Sequence, residues 1–325
     1  MALPAIARPA AAQAVPAGYP AGYADLIAAA RKEGAVSIYS TTDGAEVATL
    51  LSGFRAAFPG INVEYADQNS TELYNRFISE AAAGGGTADF LWSSAMDLQV
   101  KLVNEGYGQD YVSAEQASLP AWANWKNQAY GTTAEPIAFV YNTRLVPEAD
   151  VPRTHAALAK LLTDKAATYK GKVTSYDPER SGVGFLFVSQ DAQIDNDGLW
   201  ALARAIGKAD AKLYTSSGAM MERIASGEHL IGFNMIGSYA AERRKKDPTY
   251  GVVLPTDFTL VMSRIAFIPK AAKHPAAAKL FLDYMLSRAG QATLADRSIA
   301  PVRTDMADIS AKALVGFRGG GPGPE

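Results

Sequence analysis

The chain has no cysteine. That excludes disulfides, thiolate metal sites and cysteine nucleophiles together. It has only three histidines, His155, His229 and His274, in unrelated sequence contexts, so a three-histidine zinc site is not expected. No apolar run reaches the ~18 residues that a membrane span needs. Basic residues form no stripe: the only cluster is Arg243-Arg244-Lys245-Lys246, and the net charge is −2. A large nucleic-acid footprint is therefore excluded. The run reads as a solvated helix end, where cations suit the dipole. Phosphate-loop, dinucleotide-loop, nucleophile-elbow and zinc-protease motifs are all missing, so no catalytic residue and no cofactor is expected. Asp195-Asn196-Asp197-Gly198 resembles half a calcium loop but lacks the later glutamate. It reads as a helix cap.

What is present is a core. Hydrophobic residues make up 48% of the 325 and charged ones 20%, enough for two ordinary domains. The organising stretch is Val36 to Ser70. Val36, Ile38 and Tyr39 form a strand. Ser40-Thr41-Thr42-Asp43-Gly44 then breaks the apolar pattern. Val47, Leu50, Leu51, Phe54 and Phe58 recur at helical spacing, and Ile61, Val63 and Tyr65 alternate as a second strand. Such a unit has parallel strands and places its ligand loops at their carboxyl ends. Asp89 to Trp92 is a third strand. The same alternation returns after Thr154, which is the pattern of an open α/β sheet built twice. Two long extended runs, Tyr130 to Asn142 and Leu260 to Ile268, are expected to cross between the halves. Met1 to Ala17 is rich in Ala and Pro and has small residues as in the cleavage region of a secretory signal. Residues 1–22 read as a disordered remnant of a trimmed export signal or an ordinary tail. Residues 319–325 read as a flexible tail.

Small polar tips follow the strands and precede the helices: Thr41-Thr42-Asp43, Asn69-Ser70, Ser93-Ser94, Arg180-Ser181-Gly182, Ser216-Ser217 and Ser238-Tyr239. Each alone is most cheaply a helix cap. Jointly, hydroxyls and helix N-terminal amides make an anion site that needs no lysine. Gly182 lets backbone approach closely, and Arg180 adds charge. Asp43 and Asp177 complicate a purely anionic reading; either could face an ammonium group or cap a turn. Tyr239 could donate to a ligand or be a core tyrosine. The only acid–base candidates for an enzyme are Asp43 with Glu135 or Asp177.

EGAVSIYSTTDG, ADFLWSS, DPERSGVG, GFNMIGSYAAERRKKDP and LVMSRIAFIPKAAKHPAAAKLFLDYMLS resemble the extracellular solute-binding proteins of bacterial ABC importers, in the branch typified by ferric-iron binders. The resemblance runs from about Glu33 to Val302. It implies a type II periplasmic-binding fold: two α/β lobes joined by two hinge strands, with a ligand clamped between. The lobes are expected at 23–134 with 260–290, and at 135–259 with 291–318. It also implies a periplasmic, non-enzymatic monomer that docks on an inner-membrane permease. The ligand set expected is Thr41, Thr42, Asp43, Ser70, Ser94, Asp177, Arg180, Ser181, Gly182, Val183, Ser238 and Tyr239. The family's iron binders use a histidine in the first loop, an acidic residue after the third strand and a tyrosine pair. Here those places hold Thr41-Thr42-Asp43, Ser93-Ser94 and Ser238-Tyr239. The family's anion loop is matched by Ser181-Gly182-Val183. A phosphate, phosphonate or carboxylate compound is therefore expected, with ferric iron, bound through Tyr239 and a synergistic anion, as the alternative. An enzyme or a sensor on the same fold is the further alternative.

Overall fold

The structure is a computed structural model that describes residues 15–16, 18–84 and 88–308. Most of the expected tails at 1–22 and 319–325 lies outside the described residues.

The first half follows the expected alternation: α1 (Tyr23–Glu33), β1 (Ala35–Ser40), α2 (Gly44–Ala57), β2 (Asn62–Asp67), α3 (Ser70–Ala82), β3 (Phe90–Ser93) and α4 (Met96–Asn104). α1 stops at Gly34, whose φ of 72° is left-handed and lets its amide reach the Ala30 carbonyl, a turn that residues with a Cβ rarely make. α2 buries Val47, Leu50, Leu51 and Phe54. α3 begins with a reciprocal cap, in which the Glu72 amide donates to Asn69 Oδ1 at 2.9 Å and the Asn69 amide to Glu72 Oε2 at 3.3 Å, so two otherwise orphaned donors are satisfied.

Next come β4 (Asn124–Trp125), β5 (Ala129–Gly131), β6 (Glu135–Asn142), α5 (His155–Asp164), α6 (Ala166–Tyr169), β7 (Val173–Tyr176), α7 (Gly182–Ile194) and α8 (Asn196–Lys208). Asp195 caps α8 as expected, accepting from the Gly198 amide at 2.9 Å. The chain continues through β8 (Lys212–Tyr214), α9 (Ser217–Ser226), β9 (Ile231–Ile236), α10 (Gly237–Arg244), β10 (Tyr250–Val253), β11 (Val261–Met262), β12 (Ile265–Phe267), α11 (Pro275–Leu286) and α12 (Arg288–Asp296).

Two six-stranded sheets result. One has the order β2-β1-β3-β12-β5-β4; the other runs β10-β6-β9-β7-β8, with β11 on β6. Parallel strands form the heart of each, β1 with β2 and β3 in the first and β7 with β8 and β9 in the second. The strands entering from the other lobe pair antiparallel: β12 with β3 and β5, and β6 with β9 and β10.

The two crossing runs are therefore real, but each is broken where it changes sheet. The first breaks at Thr132 to Ala134, the second at Ser263-Arg264. There the crossings bond to each other: the Thr132 amide donates to the Arg264 carbonyl and the Arg264 amide to Thr133 Oγ1, both at 2.9 Å. A strand that leaves one ladder for another gives up ladder partners at the break, and buried amides need replacements.

One expectation is corrected. Of the stretch 291–318 expected in the second lobe, residues 309–318 lie outside the described residues, while Leu294, Ile299 and Val302 sit in the first lobe's core with Phe54, Phe90 and Phe281. The apolar stripe of α12 faces α2, because α11 turns back on the first sheet and the short link at Ser287 keeps α12 beside it. The Phe54 and Phe281 rings pack edge to face with their centres 5.1 Å apart.

Candidate functional site

The carboxyl ends of β1, β2 and β3 in one lobe and of β7, β8 and β9 in the other point at a common gap. A cavity of about 410 Å³ lies there, within the size range of small-molecule sites. Thr41, Asp43, Ser70 and Ser94 line it from the first lobe, and Val183, Ser217 and Tyr239 from the second.

The tips are held by their own hydroxyls. Thr41 Oγ1 accepts from the Ser94 amide at 2.9 Å and lies 3.1 Å from Ser94 Oγ. Tyr176 Oη and Ser217 Oγ are 2.7 Å apart. Several bonds cross the gap, among them a long one from Tyr239 Oη to Asp43 Oδ1 at 3.5 Å. The Asp43 amide donates to Tyr239 Oη at 3.1 Å, the Gly182 amide to Thr71 Oγ1 at 3.0 Å and the Val183 amide to Ser70 Oγ at 3.1 Å. The lobes are thus closed on each other.

The residues named from the sequence divide in two. Thr41, Asp43, Ser70, Ser94, Val183 and Tyr239 share the cavity. The other six are not among its lining residues. Thr42 is buried and accepts from Arg264 Nη1 at 3.0 Å. Ser238 is buried and donates to Glu135. Ser181 is buried and caps α7 through the Gly184 amide at 3.3 Å. Asp177 closes a turn, accepting from the Glu179 and Arg180 amides at 2.9 and 3.2 Å, and Arg180 is exposed. The first-turn amides of α7, at Gly182, Val183 and Gly184, already have hydroxyl partners. In this closed state they hold the opposite lobe and their own cap.

Other lining residues were not singled out: Asp67, Gln68, Glu72, Tyr176 and Thr215. Their signal was position alone, since each lies within a few residues of a tip that was. Gln68 Nε2 is buried without a hydrogen-bond partner, an open donor at the cavity wall. Asp43, Asp67 and Glu72 make the wall partly acidic, and among the described lining residues there is no lysine or arginine. Burial pushes the Asp67 carboxyl above its ordinary value, against the Gly44 amide that stabilises its charge, and the nearby Asp43 charge adds to the rise. Burial likewise raises the Tyr239 phenol well above the ordinary tyrosine range, so it stays protonated and able to donate.

Glu135, one of the acid–base candidates, is fully buried in an ion pair with Arg264, Nε to Oε1 at 2.8 Å. It faces neither Asp177 nor the cavity. Among the described residues no group of three His, Cys, Asp or Glu is placed to hold a metal ion.

Residues 49–315 match the family described as bacterial extracellular solute-binding protein. No curated protein sequence matches the chain. Among solved structures, the chain is similar to the substrate binding protein of an ABC transporter from Agrobacterium tumefaciens, at 40% identity, with 87% of this chain and 86% of that one covered and a TM-score of 0.82. Iron-bound HitA from Pseudomonas aeruginosa shares the fold at 19% identity, with 86% and 97% covered and a TM-score of 0.71. So does AfuA from Actinobacillus pleuropneumoniae, recorded with exogenous fructose-6-phosphate bound, at 18% identity, with 84% and 86% covered and a TM-score of 0.72. With its two α/β lobes, two hinge crossings and a polar cavity between them, the chain belongs to the bacterial extracellular solute-binding protein family, and it is a solute-binding protein, not an enzyme.

Proposed function

We propose that this protein is the periplasmic receptor of an ABC importer and captures a small, polyhydroxylated organic anion of the phosphate type. The observation that carries this is the polar cavity of about 410 Å³ walled by both lobes. A solute there touches both lobes at once, so its binding energy favours the closed form. The closed form is what docks on a membrane permease.

The ligand class follows from the lining. α3 and α9 begin at the cavity with Ser70 and Ser217, and helix N-termini offer unpaired N–H groups and positive potential to an anion. Gln68 Nε2 adds a donor. The carboxylates of Asp43 and Asp67 suit hydroxyl hydrogens instead, so a purely anionic solute fits less well than one that also carries hydroxyls. The AfuA neighbour, with its bound sugar phosphate, is compatible with that division. Ferric iron fits less well. It needs several anionic oxygens, and Tyr239, the phenol kept from the family's pair, is biased by burial toward its neutral form.

Calorimetric titration with fructose 6-phosphate, fructose, inorganic phosphate and ferric citrate tests the reading. The phosphorylated sugar is expected to bind at least ~10-fold tighter than the sugar alone, about 1.4 kcal/mol. Equal affinity for sugar and sugar phosphate removes the anionic half of the proposal. Binding of ferric citrate alone removes the organic half.

A further inference from the structure

The two hinge crossings carry one charge each. Arg264 and Glu135 are both 0% exposed. Arg264 Nε meets Glu135 Oε1 at 2.8 Å and Nη2 meets Oε2 at 3.2 Å, a two-pronged pair of the strongest kind. The pair does more than neutralise itself. The remaining guanidinium nitrogen, Nη1, donates to Thr42 Oγ1 at 3.0 Å, in the β1 tip of the first lobe. The Glu135 carboxylate accepts from Ser238, at the start of α10 in the second lobe, and from Thr133 Oγ1 at 2.9 Å. The guanidinium also lies 5.2 Å from the centre of the Tyr239 ring, and Tyr239 Oη receives the Asp43 amide. One ion pair thus touches both crossings and one cavity tip from each lobe.

Stability alone does not account for this arrangement. Replacing a buried ion pair with apolar residues of similar size is often neutral or stabilising, so the pair is costly unless its geometry is used. We propose that Arg264 and Glu135 are positioning residues that fix how far apart the Thr41–Asp43 tip and the Ser238-Tyr239 tip stand when the lobes close. The proposal rests on the reading of the cavity as the solute site, but its main test needs no solute.

Because the chain lacks cysteine, cysteines placed at the exposed residues Asn75 and Arg180, one per lobe, accept spin labels without background. Inter-label distances are then measured by pulsed electron resonance in the full chain, with Arg264→Met/Glu135→Leu compared against the parent. The double variant is expected to keep its thermal midpoint and near-ultraviolet circular dichroism. Its distance distribution is expected to shift to longer values and broaden about twofold, as a loosened hinge should. A folded double variant with the parent's distribution overturns the proposal. Should the double variant not fold, Thr42→Val and Ser238→Ala each cut one tie and leave the pair intact. Both are expected to broaden the distribution, and the parent's distribution in both overturns the proposal. Titration with fructose 6-phosphate is run beside these measurements. Failure of the parent to bind it counts against the function proposed above and leaves the distance result to decide the role of the pair.

Discussion

The Val183 amide donates to Ser70 Oγ across 3.1 Å, joining the first turn of α7 in one lobe to the first residue of α3 in the other. Both groups are buried. On the proposed hinge closure the bond forms only in the closed state, so it belongs to that state's free energy and not to the folding of either lobe. Ser70→Ala is expected to weaken closure by about 1 kcal/mol, the net worth of one hydrogen bond, which is roughly fivefold in the closed-to-open equilibrium constant. Stopped-flow fluorescence should show the solute leaving about as many times faster. An unchanged dissociation rate would mean the bond does not report closure.

Ser181 caps α7 from a buried position. Ser181→Ala should cost about 1 kcal/mol of stability through the lost cap, read as a lower urea midpoint. Ser181→Asp keeps a competent cap, and because Ser181 does not line the cavity, affinity for a solute held at α3 and α9 is expected to stay within ~10-fold of the parent's. A larger loss in calorimetry would put the anion at the first turn of α7 and contradict that placement.

Tyr239→Phe separates the two ligand classes. It removes the acceptor of the Asp43 amide, one hydrogen bond worth about 1 kcal/mol, so an organic anion should lose no more than about tenfold in affinity. Ferric iron would lose an anionic oxygen ligand outright. Abolished binding in a titration of this variant would favour iron.

His229 links stability to pH. It is buried, with Nε2 2.9 Å from Tyr214 Oη, and burial lowers its pKa below the ordinary 6.5. In the window between that lowered value and 6.5 the unfolded chain binds more protons than the folded one. The stability contribution is therefore present above pH 6.5 and is lost as pH falls through the folded value. Urea midpoints taken from pH 7.5 down to 5 should drop, and His229→Gln should flatten the drop. Equal slopes in the two proteins would show that His229 does not titrate across unfolding.

Much of this was legible in the sequence for a physical reason. The spacing of Val47, Leu50, Leu51 and Phe54 can only bury one face of a helix, and hydroxyl tips such as Thr41 and Ser94 must lie where strands end. What spacing does not encode is the partner surface. Leu294, Ile299 and Val302 read as buried residues equally well against either sheet, and the wrong lobe was expected for them. Tip residues were visible as a class, but whether each faces the cavity or its own cap depends on side-chain direction, which divides Ser70 from Ser181. Arg264 could have been found. It is the one cation in the apolar run Leu260 to Ile268, and Glu135 is the one acid in Tyr130 to Asn142. Two lone opposite charges in two strands expected to cross side by side are a pairing signal.

The most direct test of the account is a crystal structure of the protein with whatever solute it retains through purification, or with fructose 6-phosphate added. The account predicts ligand density in the cavity between Thr41, Ser94, Ser217 and Tyr239, touching both lobes. Density confined to one lobe, for instance in the outer pocket beside Tyr39 and His274, would contradict capture by closure.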